Sequence, residues 1–366
     1  MNFDFTQDQQ NVFKELSIKS KSLVDAQDNS QQLVNLKDAL TQFAPMGYLQ
    51  TGLQNEESLT LMGSMEQIAS NSPSLCLSIE MSTRIFGKLI QLWENKEQQK
   101  SILSQLINGS LVGAVASSEE SMNIDSAFQT QGTRDGNQVI INGTKHFVIN
   151  AKQADWIAVL GTLEGKTAVF MVPQGCTGLI IEDRLATLGF EDTWISNSVL
   201  KNCTIPETHV IGPFTQKQEI TDKLLLWQNQ LLIGICLGLM KASYETANSF
   251  SKVHKSGGKP IAAYQEVSFK LAEMLTLYQT SQLLAYRSAW TVDQHEKEGD
   301  VLTQCAKVFC SESAEKVAGS ALQILSQKGY ISGNPAEQAY RCAKFCQIAG
   351  TSTEIARVKI GDAELK

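Results

Sequence analysis

The chain has 366 residues, 42 % hydrophobic and 19 % charged, and 31 basic against 38 acidic side chains give a formal net charge of −7. A chain this apolar and this modestly charged folds rather than staying disordered, and its acidic balance excludes non-specific nucleic-acid binding, which needs a basic surface. At roughly 100–200 residues per domain the length predicts two or three domains.

Residues 1–110 read as a helical domain. Between Leu59 and Asn108 the only glycines are Gly63 and Gly87 and the only proline is Pro73. Apolar residues there recur at helical spacing, as in Ile85, Leu89, Ile90 and Leu92, or Ile102, Leu103 and Leu106. The opening MNFDFTQDQQ lacks the basic-then-apolar pattern of a signal peptide.

The pattern changes at Asn108-Gly109-Ser110. Residues 111–213 carry short β-rich runs: LVGAVA (111–116), QVIING (138–143), WIAVLG (156–161), TAVFMV (167–172), GLIIED (178–183) and SNSVL (196–200). Asp135-Gly136-Asn137 and Asn142-Gly143 read as hairpin turns. Such strands predict a central antiparallel β-barrel or sandwich domain.

The helical period returns at Thr221 and predicts a C-terminal four-helix bundle over 214–366, so the fold class is α+β and multidomain, in the order helical, β, helical. Tyr264, Val267, Leu271, Met274 and Tyr278 form one apolar stripe, and Gly234 and Gly238, four apart, allow close helix contact. The most apolar run, Leu224 to Met240, is broken by Gln228, Asn229 and Gln230, so no membrane span is expected. The eight cysteines are scattered. The close pairs Cys305/Cys310 and Cys342/Cys346 lack zinc spacing and neighbouring histidines, so no metal site is predicted and reduced thiols in a cytoplasmic protein are expected.

Several segments, in order, resemble the acyl-CoA dehydrogenase superfamily. INGTKHFVINAKQADWIAVLG (141–161) is similar to that family's NGxKxWITNA…AD run, and VASSEESMNID (115–125) stands where it has a TEP…GSD segment. LATLGFEDTWISNSVLKNCTIPETHVIG (185–212), KSGGKPIAAYQEVSFKLAEM (255–274), QILSQKGYISGNPAEQAYRCAK (323–344) and GTSTEIARV (350–358) resemble its later signatures. The resemblance implies FAD bound in extended form, an acyl thioester substrate on coenzyme A or an acyl carrier protein, and a homodimer or homotetramer. The implied reaction takes a proton from Cα and a hydride from Cβ.

That chemistry needs a carboxylate facing Cα, donors for the developing enolate oxygen, and groups that fix the flavin. The resemblance implies a base immediately before Gly350-Thr351, or alternatively on the first C-terminal helix. These positions are Ala349, in a run one residue short, and Gln228, and neither can take a proton. Its implied flavin contacts fall at Ser118, which keeps a hydroxyl, at Phe147, which keeps an aromatic, and at Ile149, which has lost one. Other implied cofactor positions are His254, where the resemblance implies an arginine, Gln265, Gln323, Gln327, where it implies a glycine, Thr351 and Thr353. Ile124 and Ala349 fall at substrate positions. Glu119 and Glu120 read as a solvated pair at a strand end rather than a replacement base, Glu354 as a first-turn acid, His146 and His254 as surface or interface residues rather than acid–base groups, and Cys346 as a core thiol rather than a nucleophile. The expected function is oxidation of an acyl thioester. The alternatives are a catalytically silent subunit paired with an active homologue, and a non-redox thioester-binding protein.

Overall fold

Apolar periodicity at the start of the chain produces six helices: α1 (Gln7–Ser30), α2 (Leu36–Phe43), α3 (Ser58–Asn71), α4 (Pro73–Glu80), α5 (Phe86–Ile90) and α6 (Lys96–Ile107). The computed structural model describes residues 5–30, 35–53, 57–120, 128–216, 218–294 and 298–365. Helix starts follow capping chemistry. The Asn35 side chain accepts from the N–H groups of Lys37 and Asp38, Ser72 from that of Leu75 with Pro73 at the first helical position, and Asn95 from that of Gln98. Between α4 and α5 the backbone opens into a π-helical turn, Met81–Ile85. This turn carries Arg84, which is fully buried and paired through Nε with Glu80 at 2.6 Å. Tyr48 Oη donates to the same carboxylate at 2.6 Å, and Arg84 Nη2 donates to the Trp227 carbonyl at 2.9 Å. These hydrogen bonds offset much of the cost of burying the charge pair, although Arg84 Nη1 has no partner among the described residues.

The central region is one eight-stranded sheet. Its strands are β1 (Gly113–Ala116), β2 (Gln131–Asp135), β3 (Gln138–Ile149), β4 (Trp156–Leu163), β5 (Lys166–Pro173), β6 (Leu179–Ile181), β7 (Ile195–Pro206) and β8 (Val210–Phe214). Their order is β6-β7-β3-β2-β4-β5-β8, with β1 beside β4. The sheet is mostly antiparallel, as the sequence predicts, but mixed: β1 runs parallel to β4, and β2 pairs in parallel with the end of the same strand. Strands β2 and β8 lie outside the β-rich runs read from the sequence. The Asp135-Gly136-Asn137 turn is a hairpin joining β2 to β3, with Asp135 opposite Gln138. Asn142-Gly143 is no turn. It lies inside β3, where a Cβ on Gly143 would come within 2.4 Å of Thr130 Oγ1, so glycine is needed for close approach.

Glu119 departs from its expected solvated role, whereas Glu120 is exposed. Glu119 is buried and pairs with the fully buried Lys145 of β3 at 2.6 Å. It also accepts from the backbone N–H groups of Gln129 (2.6 Å) and Thr130 (2.9 Å). The pair fastens the end of the β1 segment to β3.

The C-terminal part contains α7 (Gln218–Val253), a hairpin of β9 (Lys255–Ser256) and β10 (Lys259–Pro260), α8 (Gln265–Asp293), α9 (Gly299–Leu325), α10 (Pro335–Ile348) and α11 (Thr353–Glu364). Helix α7 is central. A Cβ on Gly234 would meet the Met65 side chain at 2.7 Å, and one on Gly238 the Ala69 Cβ at 2.6 Å, so both glycines let α7 approach α3 closely. Helix α7 is long and apolar enough to cross a membrane, but 72 % of its apolar window is buried inside this fold, as for a core helix. All eight cysteines are free thiols. Cys176 and Cys203, 27 positions apart, bring their sulfurs to 3.1 Å, a contact that sequence spacing did not reveal.

Burial alone raises the Glu119 carboxyl, but the hydrogen bonds from Lys145, Gln129 and Thr130 outweigh it and hold it below its ordinary value of 4.5. A depressed folded-state pKa stabilises above the ordinary carboxylate value, and the contribution is lost as pH falls through the folded-state value. Urea midpoints followed from pH 7 to pH 3 are therefore expected to fall more steeply below about pH 4.5 for the parent than for Glu119→Gln. Parallel slopes would remove the Glu119 carboxylate from the stability of the sheet.

Candidate active site

A cleft of about 740 Å³ opens where the sheet, α4, α7 and α10 meet. One wall comes from β1 and β3. Ser117 and Ser118 follow β1, and the backbone N–H of His146 donates to the Ser118 carbonyl at 2.9 Å. The pairing of β3 with β7 shifts register between Lys145 and Val148. At that shift Phe147 takes a left-handed φ of +59°, which turns its ring outward and leaves it 43 % exposed. Both His146 and Phe147 consequently line the cleft, with Ile149 two residues on. Phe345 of α10 faces Phe147 with ring centroids 6.2 Å apart and planes 19° from parallel.

The opposite wall is formed by α7 and the loop from α10 to α11. Asn229 grips that loop at two points: its Nδ2 donates to Thr351 Oγ1 at 3.0 Å, and its Oδ1 accepts from the Thr351 N–H at 3.0 Å. Gly350 lies so close to α7 that a Cβ there would meet Asn229 Oδ1 at 2.6 Å, and its φ of +65° also favours glycine. From beneath, the buried Lys307 of α9 donates to the carbonyls of Cys346 (2.5 Å) and Thr351 (3.1 Å). Burial lowers the Lys307 pKa, while its two carbonyl partners satisfy the ammonium and the end of α10.

The structure brings five predicted positions, Ser118, Phe147, Ile149, Gln228 and Ala349, to this one cleft. Thr351 and Thr353 are buried behind it. His254, Gln265, Gln323 and Gln327 are exposed elsewhere, and none of them lines the cleft. His254 stacks on Phe250 at 4.6 Å between centroids. Ile124 lies outside the described residues. Glu354 is exposed in the first turn of α11, and Cys346 is a buried thiol, as the sequence suggested. His146 differs from its expected surface role because the register shift turns it into the cleft wall.

Among the described residues, no carboxylate lines the cleft. Its titratable groups are His146, Arg341 and Lys344. Arg341 is held by Glu191 (2.5 Å) and Glu337, and Lys344 by Glu315 (3.1 Å), so both cations are already paired. Leu77, Met81, Leu231 and Leu232 give the cleft an apolar part of its lining. Sequence reading did not single these out. Leu231 and Leu232 were findable, since they stand three and four residues beyond Gln228 and share its helix face.

An isoalloxazine ring needs a flat apolar wall with polar groups at one edge. The outward Phe147 ring supplies the wall, and the Ser117 and Ser118 hydroxyls supply the edge, so the residues present fit the ring. Ile149, which also lines the cleft, offers no hydrogen-bonding group.

Residues 114–203 match the acyl-CoA dehydrogenase middle domain, and residues 220–365 match the acyl-CoA dehydrogenase C-terminal domain. The chain therefore belongs to the acyl-CoA dehydrogenase family. It is 27 % identical over 308 residues to the mitochondrial short-chain specific acyl-CoA dehydrogenase of Sus scrofa, covering 82 % of this chain and 75 % of that protein. The butyryl-CoA dehydrogenase of Megasphaera elsdenii shares the fold with a TM-score of 0.92 at 22 % identity, over the whole of both chains. A prolyl acyl carrier protein oxidase shares it with a TM-score of 0.89 at 21 % identity, over 98 % of this chain and 99 % of that one.

Removing the Asn229 clamp leaves the Thr351 N–H buried without a partner. Asn229→Ala is expected to cost about 2–3 kcal/mol in urea unfolding and to raise amide exchange in the segment 349–352. An unchanged exchange rate there would show that Lys307 alone holds the loop.

Proposed function

We propose that this chain is a flavin-dependent oxidoreductase that removes hydrogen from Cα and Cβ of an acyl thioester, carried on coenzyme A or on a carrier protein. The observation that carries this reading is the cleft, whose ring-facing wall and apolar acyl end meet beside Ala349 and Gln228. FAD would be held by Phe147 against the ring face and by the hydroxyls of Ser117 and Ser118. When bound there, it supplies the acceptor for the hydride leaving Cβ.

The protein's own contribution is binding, water exclusion and orientation. Leu77, Met81, Leu231 and Leu232 enclose the acyl group. The Gly350 N–H makes no hydrogen bond among the described residues and stands in the same wall, available to a thioester oxygen that gains charge as the α-proton leaves. Among the described residues, that proton finds no carboxylate in the wall. A glutamine amide is not a base at neutral pH, alanine offers nothing, and the paired Arg341 and Lys344 are acids. His146 contributes the one imidazole of the wall. These facts support a substrate whose Cα–H is more acidic than that of a plain alkanoyl thioester. The silent-subunit reading is not favoured, because the similar proteins are named as acyl-CoA dehydrogenases and an acyl carrier protein oxidase.

The resemblance to a carrier-protein oxidase keeps both thioester carriers in view. The exposure of His254, Gln265, Gln323 and Gln327, away from the cleft, supports a homodimer or homotetramer in which they approach a neighbouring copy's cofactor. Eight free thiols support a cytoplasmic location.

The protein purified from cells supplied with riboflavin is expected to be yellow, with flavin released on denaturation. A colourless protein that takes up no added FAD overturns the reading. Ala349→Glu is expected to raise turnover of butanoyl-CoA by far less than the roughly 10²–10⁴-fold that a working general base supplies, because the ring contact missing at Ile149 remains missing. A gain in that full range would mean that the carboxylate is the site's sole deficit.

A further inference from the structure

Gln228 is the one polar side chain through which α7 lines the cleft. It is half-buried, and among the described residues its carboxamide has no hydrogen-bond partner. Its backbone neighbours are both tied down. The Trp227 carbonyl accepts from the buried Arg84, and the Asn229 side chain clamps Thr351. The turn of α7 that carries Gln228 is thus fixed against the N-terminal helices on one side and the loop 349–352 on the other. One helical turn further, Leu231 and Leu232 complete the same face, and Leu77 and Met81 stand in the same apolar end.

A free amide in this setting has a consequence for what the cleft accepts. An acyl group seated against Leu231 and Leu232 displaces water from Gln228. A plain alkyl chain then leaves the amide unpaired, whereas an acyl group with its own donor or acceptor replaces the lost water. Charge narrows the class further. A carboxylate substituent finds no free cation in the wall, since Arg341 and Lys344 are already paired, and an ammonium finds no lining carboxylate among the described residues.

Resting on the acyl-thioester reading above, we infer that Gln228 selects thioesters whose acyl group carries an uncharged hydrogen-bonding substituent, a hydroxyl or an amide, over plain alkyl and over charged acyl groups. Gln228 is a specificity residue in direct contact with substrate.

The test is calorimetric binding of butanoyl-CoA, 2-hydroxybutanoyl-CoA, 3-hydroxybutanoyl-CoA and succinyl-CoA to the full chain in the presence of FAD, with coenzyme A alone as control. The parent is expected to bind at least one hydroxylated ester about tenfold or more tightly than butanoyl-CoA and succinyl-CoA. Gln228→Leu is expected to abolish that preference without changing affinity for coenzyme A. Gln228→Met, closer in shape, repeats the measurement should the leucine variant fold poorly. Gln228→Glu, which still accepts from a hydroxyl, is expected to retain the preference. Equal binding of alkyl and hydroxylated esters by the parent, or a preference that survives both apolar variants, overturns the inference and leaves the thioester reading intact. Failure of every acyl group to bind, offered first on coenzyme A and then on an acyl carrier protein, overturns both.

Discussion

The two-point grip of Asn229 on Thr351 is the interaction on which the cleft depends. It joins the longest helix to a loop four residues long whose own backbone cannot form a regular element. Without it, the wall containing Ala349 and Gly350 is held by Lys307 beneath it and by the helix-end hydrogen bonds of Ala349 and Ser352. The grip also explains why glycine stands at 350. The side chain that holds the loop occupies the space a Cβ would need. Burial, hydrogen bonding and backbone conformation thus converge on one loop.

The site combines a well-kept container with altered contents. Among the described residues, the Glu119–Lys145 pair, the Arg341 cluster and the Lys344–Glu315 pair commit the charges at the cleft to architecture, where they organise its walls. What remains exposed to a ligand is apolar surface, a few hydroxyls, one imidazole and one amide. Such a lining binds and orients more readily than it moves protons, and it shifts the burden of acidity onto the substrate.

The helical zones were legible because their apolar residues keep a 3.6-residue period over long stretches, and the β zone because turn residues punctuate it. The failures are local and have physical causes. QGTRD reads as polar, yet it forms β2, because pairing with β3 and a glycine pressed against Phe170 matter more than its own side chains. Gly143 mimics a turn signal while serving a close approach. Glu119 looks solvated in sequence because the lysine that buries it lies 26 positions away. In the site, ordered motifs placed Ser118, Phe147, Ile149, Gln228 and Ala349 together, since motif spacing carries that information. His146 could be weighed in sequence for an acid–base step or a surface role but not placed, because a register shift, invisible in the sequence, decides which way it points. Leu77 and Met81 escaped because they look like any core residue until α7 and the sheet are packed beside them.

The π-helical turn at Met81–Ile85 gives this architecture a way to change its acyl end by a single indel. A π-turn is an α-helix with one residue too many, and each α-helical residue advances the chain by about 100°. Loss of one residue there would restore regular winding and rotate α4 relative to α5 by that angle. Leu77 and Met81 would swing off the cleft and other faces of α4 would enter it, while α7 and the sheet stayed in place. The shape of the acyl end is therefore written in the phase of one helix as much as in the identity of its side chains.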